Sequence, residues 1–200
     1  FLSSEDIDVE IKYITGEPQA SWQHQRPSSP VVIPFNGVLP RLLEEAIRLG
    51  EKADAVLNFG YDWLPIWITP FVRAKIFHLI SMGAESKVMK ELISDLSISF
   101  NSRMAFHSHR QASDYLLADK PFIVGNGLDL NNYDFQPCSE GHLGWAGRVA
   151  PEKGLEDAAS VANSLGEKLL VWGLIENTEY AEFIENSFPK GTIQWRGFLP

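Results

Sequence analysis

The strongest constraint on this chain is a rhythm: short apolar runs alternate with amphipathic stretches of helical period along both halves. The second half shows it most plainly. "HLGWAGR", "KLLVWG" and "TIQWRGF" read as strands, and "GLEDAASVANSLG" and "NTEYAEFIENSF" between them as helices. The strands start roughly 25 residues apart, the spacing of βαβ units with right-handed crossovers. Leu169 to Trp172 is apolar at every position, as in a strand of a parallel sheet covered on both faces.

The first half carries the same rhythm. "DVEIKYIT" (Asp8 to Thr15) alternates like a half-buried strand. Glu17 to Pro34, rich in Pro, Ser and Gln, reads as a long loop. A helix follows from Pro40, with Leu42, Leu43, Ala46 and Ile47 on one face. Then come strands at "DAVLNF", "AKIFHLI", "LSISFN" and "PFIVGNG", with helices at "ESKVMKELI" and "RQASDYLL". "DFQPCSEGH" is a polar connection. It sets the expected boundary between an N-terminal domain, 1–134, and the start of a C-terminal one, 135–200. The expected class is therefore α/β, with two Rossmann-like parallel-sheet domains.

Charge narrows the ligands. The net charge of −9 argues against a general nucleic-acid or anionic-membrane surface. Hydrophobic residues make up 44 %, so a proper core is expected. Cys138 is the only cysteine, which excludes an internal disulfide and suits a reducing, cytoplasmic setting. The uncharged apolar stretch Trp63 to Val72 contains Pro65 and Pro70 and is about half what a membrane crossing needs.

An anionic ligand must then be held locally, and "GWAGRVAPEKGLEDAA" (Gly144 to Ala159) offers the means. A strand ends near Ala146, Gly147 allows a close turn, and Pro151 presets a helix start. Arg148 and Lys153 thus lie at the carboxyl end of a strand, the edge where open α/β sheets bind ligands. A guanidinium fork and an ammonium beside a helix start suit a dianion such as a diphosphate. The same residues also read as ordinary loop charges, with Arg148 paired to Glu152 or Glu156 and Lys153 solvated.

"GRVAPEKG" resembles the G-R-x-x-P-E-K-G signature of retaining, nucleotide-sugar-dependent glycosyltransferases of the GT-B fold, the family-4 group. "IVGNGLDLNNY" (Ile123 to Tyr133) is similar to that family's I-P-N-G-[IV]-D-x-x-x-F segment, and "IQWRGFLP" (Ile193 to Pro200) to a later strand of it. The resemblance implies transfer of a hexose from a UDP- or GDP-linked donor to an acceptor hydroxyl with retention. It implies no metal or other cofactor, the donor being a substrate. Arg148 and Lys153 would neutralise the donor diphosphate. His78, in "KIFHLISMG", would lie near the transferred sugar in an interdomain cleft. Gly147 and Gly173 would let the backbone approach the nucleotide, and Arg196, Gly197, Phe198 and Leu199 would surround the base. Asn126, Gly127 and Asp129 would shape the turn between domains.

Some of the family's pattern is missing. Gly125 stands where the family has Pro, and Trp195 and Arg196 where it has Phe-Leu. The glycine-rich loop after the first strand and the E-x7-E segment are absent from these 200 residues, so the chain as given is expected to be catalytically incomplete. The acceptor (a sugar, a lipid or a small molecule) is not specified, and peripheral membrane contact stays open. A sugar-nucleotide-binding module without transferase activity is the alternative.

Three other constellations have two readings each. Asp62 and Trp63 follow the strand "AVLNF", as an acceptor-side pair or as part of an aromatic cluster. His78 on its apolar strand also reads as a hydrogen-bonded core histidine. His107 and His109 have the look of a metal pair, but no Cys or carboxylate cluster accompanies them.

Overall fold

The computed structural model describes residues 10–18, 28, 30, 32–84, 86–135, 137–138 and 141–198. The chain divides into two compact units, 1–128 and 129–200. Among the described residues no helix is long and apolar enough to cross a membrane.

The first unit carries a parallel sheet of β1 (Val56–Asn58), β2 (Ile76–Ile80), β3 (Met104–Phe106) and β4 (Phe122–Ile123), in the order β1-β2-β3-β4. Helix α1 (Val38–Gly50) precedes it. The crossovers hold α2 (Trp63–Ile68), α3 (Lys87–Phe100) and α4 (His109–Ala112). Every crossover steps to the next strand in the same direction. With one handedness they all pack on one face. Ile66, Met89, Ile93 and Leu96 bury themselves there against Ile80, Met104 and Phe106. The opposite face presents Leu57, Phe77, Phe122 and Val124, all exposed, along a trough of about 460 Å³.

Several elements depart from the sequence expectation. Residues 10–15 form no strand. Ile11 and Tyr13 stay exposed, so their alternation buries no face, and Asp8 and Val9 lie outside the described residues. Most of the expected 17–34 loop is outside them too. "LSISF", expected as a strand, forms the last five residues of α3. Met89, Ile93 and Leu96 continue the helical spacing into it, and extending a formed helix is easier than starting a strand. The strand comes after it, at β3. The helix expected at "RQASDYLL" stops at Ala112. Beyond that point Tyr115 turns inward and its hydroxyl donates to the Met82 carbonyl (3.0 Å). "WLPIWI" forms α2, with Pro65 in its first turn, where a missing N–H costs nothing.

The second unit has β5 (Leu143–Ala146), β6 (Leu169–Trp172) and β7 (Ile193–Gly197), parallel and in that order. Helices α5 (Leu155–Leu165) and α6 (Thr178–Ser187) form the crossovers. Leu155, Ala159 and Ala162 recur at helical spacing and pack with Ile184 over Leu169, Val171 and Ile193. Gly166 closes α5 in the left-handed conformation, and Asn177 caps α6 by accepting the Tyr180 N–H (2.9 Å).

Candidate functional site

The carboxyl edge of the second sheet is built on glycines. The Gly147 N–H donates to the Trp172 carbonyl (3.0 Å), and the Gly173 N–H to the Gly197 carbonyl (2.9 Å). Gly147, Gly173 and Gly197 thus stand side by side where β5, β6 and β7 end. The loops beyond them are joined as well. Val149 donates to the Leu174 carbonyl (2.9 Å) and accepts from the N–H groups of Glu176 (3.3 Å) and Asn177 (3.2 Å). Val149 is fully buried.

Arg148, between Gly147 and the buried Val149, sends its guanidinium to two carboxylates. Nη1 donates to Glu176, on the loop after β6, and Nη2 to Glu152 at 3.2 Å. Glu152 belongs to a 3-10 turn, Pro151–Lys153. Gly154 links that turn to α5 with φ 63° and ψ 37°, a left-handed conformation that disfavours a side chain. Lys153 is exposed in the same turn, and its ammonium makes no ion pair among the described residues. The two cations expected from the sequence are therefore at the carboxyl edge, and two carboxylates stand with them. Glu156, the other partner considered for Arg148, instead accepts from the Tyr180 hydroxyl. Burial, reinforced by that hydrogen bond, pushes the Tyr180 phenol up to about 12.

The other residues of the expected donor site sit as follows. Gly173 makes its close approach to the chain itself, since its neighbour is the Gly147 carbonyl. Arg196 is exposed and omitted from the ladder, where Val171 pairs with Trp195 and Trp172 with Gly197. It is the extra residue of a β-bulge, a device that re-aims a side chain. Phe198 is exposed at the end of β7, and Leu199 lies outside the described residues. Asp129 accepts from the N–H of Asn131 (3.1 Å) and closes a short turn at the junction of the units.

His78 lies in the middle of β2 and faces the helices together with Ile76 and Ile80, as the core reading of it expects. Its ring is buried and both nitrogens are used. The Asn58 amide, held by the Gly60 carbonyl (3.0 Å), donates to Nδ1 (3.0 Å). The other nitrogen, Nε2–H, then donates to Thr69 Oγ1 (2.8 Å), whose hydroxyl donates to the Pro65 carbonyl (2.8 Å). Burial, with a smaller contribution from the Arg103 charge, lowers its pKa to about 4. His78 is a neutral core histidine that ties β1 and β2 to α2.

Asp62 is buried as the N-cap of α2, accepting from the Leu64 N–H at 3.5 Å. Trp63 packs against the first core and its ring lies 6.3 Å from that of Trp67, so the pair opens a helix and an aromatic row. His107 Nδ1 donates to the Gly125 carbonyl (2.9 Å). Among the described residues, no three His, Cys, Asp or Glu side chains gather as metal ligands. Sequence reasoning missed Glu176 at Arg148, Asn58 and Thr69 at His78, and Tyr180 at Glu156. Only the position of Glu176 just after a strand hinted at its place.

No protein-family model matches the chain, and no curated protein matches it by sequence. Solved structures do. The chain is similar to AviGT4, a glycosyltransferase involved in avilamycin A biosynthesis, with TM-score 0.53 and 20 % identity, over 86 % of this chain and 48 % of that one. It is also similar to TarM, with TM-score 0.62 and 16 % identity, over 82 % of this chain and 37 % of that one. The chain spans less than half the length of either. At these identities the likeness is one of fold: an α/β fold of the GT-B kind, with two parallel sheets, only partly covered by this chain.

Proposed function

We propose that the chain is part of a retaining hexosyltransferase that acts in the cytoplasm on a UDP- or GDP-linked sugar. The observation that carries this reading is the place of Arg148. It sits at the carboxyl edge of the second sheet, in the "GRVAPEKG" segment, with Lys153 in the adjoining turn. The likeness in fold to a glycosyltransferase supports it.

In the reaction, the bond between the sugar's anomeric carbon and the donor's terminal phosphate oxygen breaks, and its electron pair goes to that oxygen. The acceptor oxygen bonds to the same carbon from the same face, and its proton passes to the departing phosphate. Arg148 and Lys153 stabilise the charge that develops on the diphosphate. His78 takes no proton in this scheme, because both its nitrogens are committed within the core. Phe198 and the bulged Arg196 flank the base.

The test is Arg148→Ala combined with Lys153→Ala in the complete protein, with transfer from UDP- and GDP-hexoses followed by NMR of the product anomer. Turnover should fall about 100- to 1,000-fold. Unchanged turnover, or an inverted anomer, overturns the reading.

One observation favours a second reading, a sugar-nucleotide-binding module. His78 is buried with both ring nitrogens hydrogen-bonded, so it is not open to a transferred sugar, the place the resemblance gave it. Nucleotide affinity without donor turnover would establish that module.

A further inference from the structure

We infer that Glu176 and Glu152 are built-in competitors for Arg148 and set how tightly the site takes a nucleoside diphosphate; this rests on the reading of Arg148 as a phosphate ligand. The two carboxylates come from different loops and take different guanidinium nitrogens, Glu176 at Nη1 and Glu152 at Nη2. They stand where two phosphate oxygens would go, since a guanidinium fork presents the same two donors to carboxylate and to phosphate. All three side chains are partly exposed, at 32 % for Arg148, 47 % for Glu152 and 31 % for Glu176. Such pairs are weak and exchangeable. A diphosphate arriving at Arg148 must break both contacts, and the displaced carboxylates stay on their loops near the incoming charge.

The arrangement also joins loops. Glu176 follows β6, and Arg148 follows β5. The backbone bonds that join Val149 to Leu174, Glu176 and Asn177 keep the carboxylate close to the arginine whether or not a ligand is bound. Local concentration therefore favours the internal ion over a dilute ligand. Lys153, in the turn that carries Glu152 and with no ion pair among the described residues, supplies the second positive charge once Arg148 has changed partners.

Calorimetric titration of the full chain with UDP, and separately with GDP, tests the inference. Glu176→Gln should tighten binding about two- to fivefold, and Glu152→Gln with Glu176→Gln further, but not by the product of the two single effects, because both carboxylates share Arg148. Glu179→Gln removes the same charge from the first turn of α6 and should leave affinity within a factor of about 1.5, which separates direct pairing from the general field. Arg148→Ala should abolish the gain from Glu176→Gln. If Glu176→Gln leaves binding unchanged or weakens it while Arg148→Ala still abolishes it, the competitor role is overturned and the phosphate site survives. If neither nucleotide binds the wild type or Glu176→Gln, the phosphate site itself is overturned. Circular dichroism and melting of each variant separate an altered fold from an altered site.

Discussion

Gly173 faces the carbonyl of Gly147 so closely that a Cβ placed on it would stand 1.7 Å from that oxygen. The oxygen is backbone and cannot swing aside. Gly173→Ala must therefore push β5 and β6 apart at the edge that carries Arg148. A cost of about 3 kcal/mol or more is expected, in the upper range for forced backbone shifts. Gly147→Ala meets only the Trp145 ring, at 3.1 Å, and a side chain can give way. It should cost about 1 kcal/mol. Urea melts of the two variants check the order, and equal losses would contradict the close crossing.

The buried His78 ring predicts a pH dependence. Its folded-state pKa of about 4 is lowered from 6.5, so the unfolded chain binds the proton more readily between those values. Its contribution is complete above pH 6.5 and is lost as the pH falls through that window towards 4. The interval corresponds to about 3 kcal/mol at most. His78→Gln should lower stability at pH 7 yet flatten the slope between pH 6.5 and 4. A variant that keeps the wild-type slope would show that the titration belongs to another group.

The second unit was the more legible half, for reasons visible in particular residues. Leu169 to Trp172 has no polar position, and Leu155, Ala159 and Ala162 keep one helical period, so competing readings were few. "LSISF" misled because serines alternate with apolar residues there, whereas the helix spacing set by Met89 and Ile93 extends over a longer window. The place of Arg148 could be read from its turn. Its partner Glu176 could not, being 28 residues away and brought near only by β5–β6 pairing. For His78 the run Ile76 to Ile80 is apolar at every position but its own, so the sequence left both the core reading and the resemblance's cleft reading standing, and the buried face shows only in the structure.

The one-sided first sheet predicts unequal tolerance of its two faces. Ile93→Ala, at a fully buried site, should cost about 2–5 kcal/mol. Leu57→Ser and Phe122→Ser, on the exposed face, should cost less than about 1 kcal/mol and should lower the binding of a hydrophobic dye. Urea melts with dye fluorescence read both. A loss at Leu57 as large as that at Ile93 would mean that something covers this face in solution.

Arg196 allows stability and recognition to be separated. It is the bulged residue of β7, exposed, and Trp195 beside it is anchored by its indole N–H to Glu185 at 2.7 Å. Because the ladder already omits Arg196, Arg196→Ala should change stability by less than about 0.5 kcal/mol. On the proposed reading its side chain lies beside the nucleobase. The same change should then shift the ratio of UDP to GDP affinity by about threefold or more, roughly the effect of one hydrogen bond near the solvent. Melting and competitive titration of one sample give both values. A shifted melt with an unchanged ratio would make Arg196 a structural residue of the bulge and would move base recognition elsewhere.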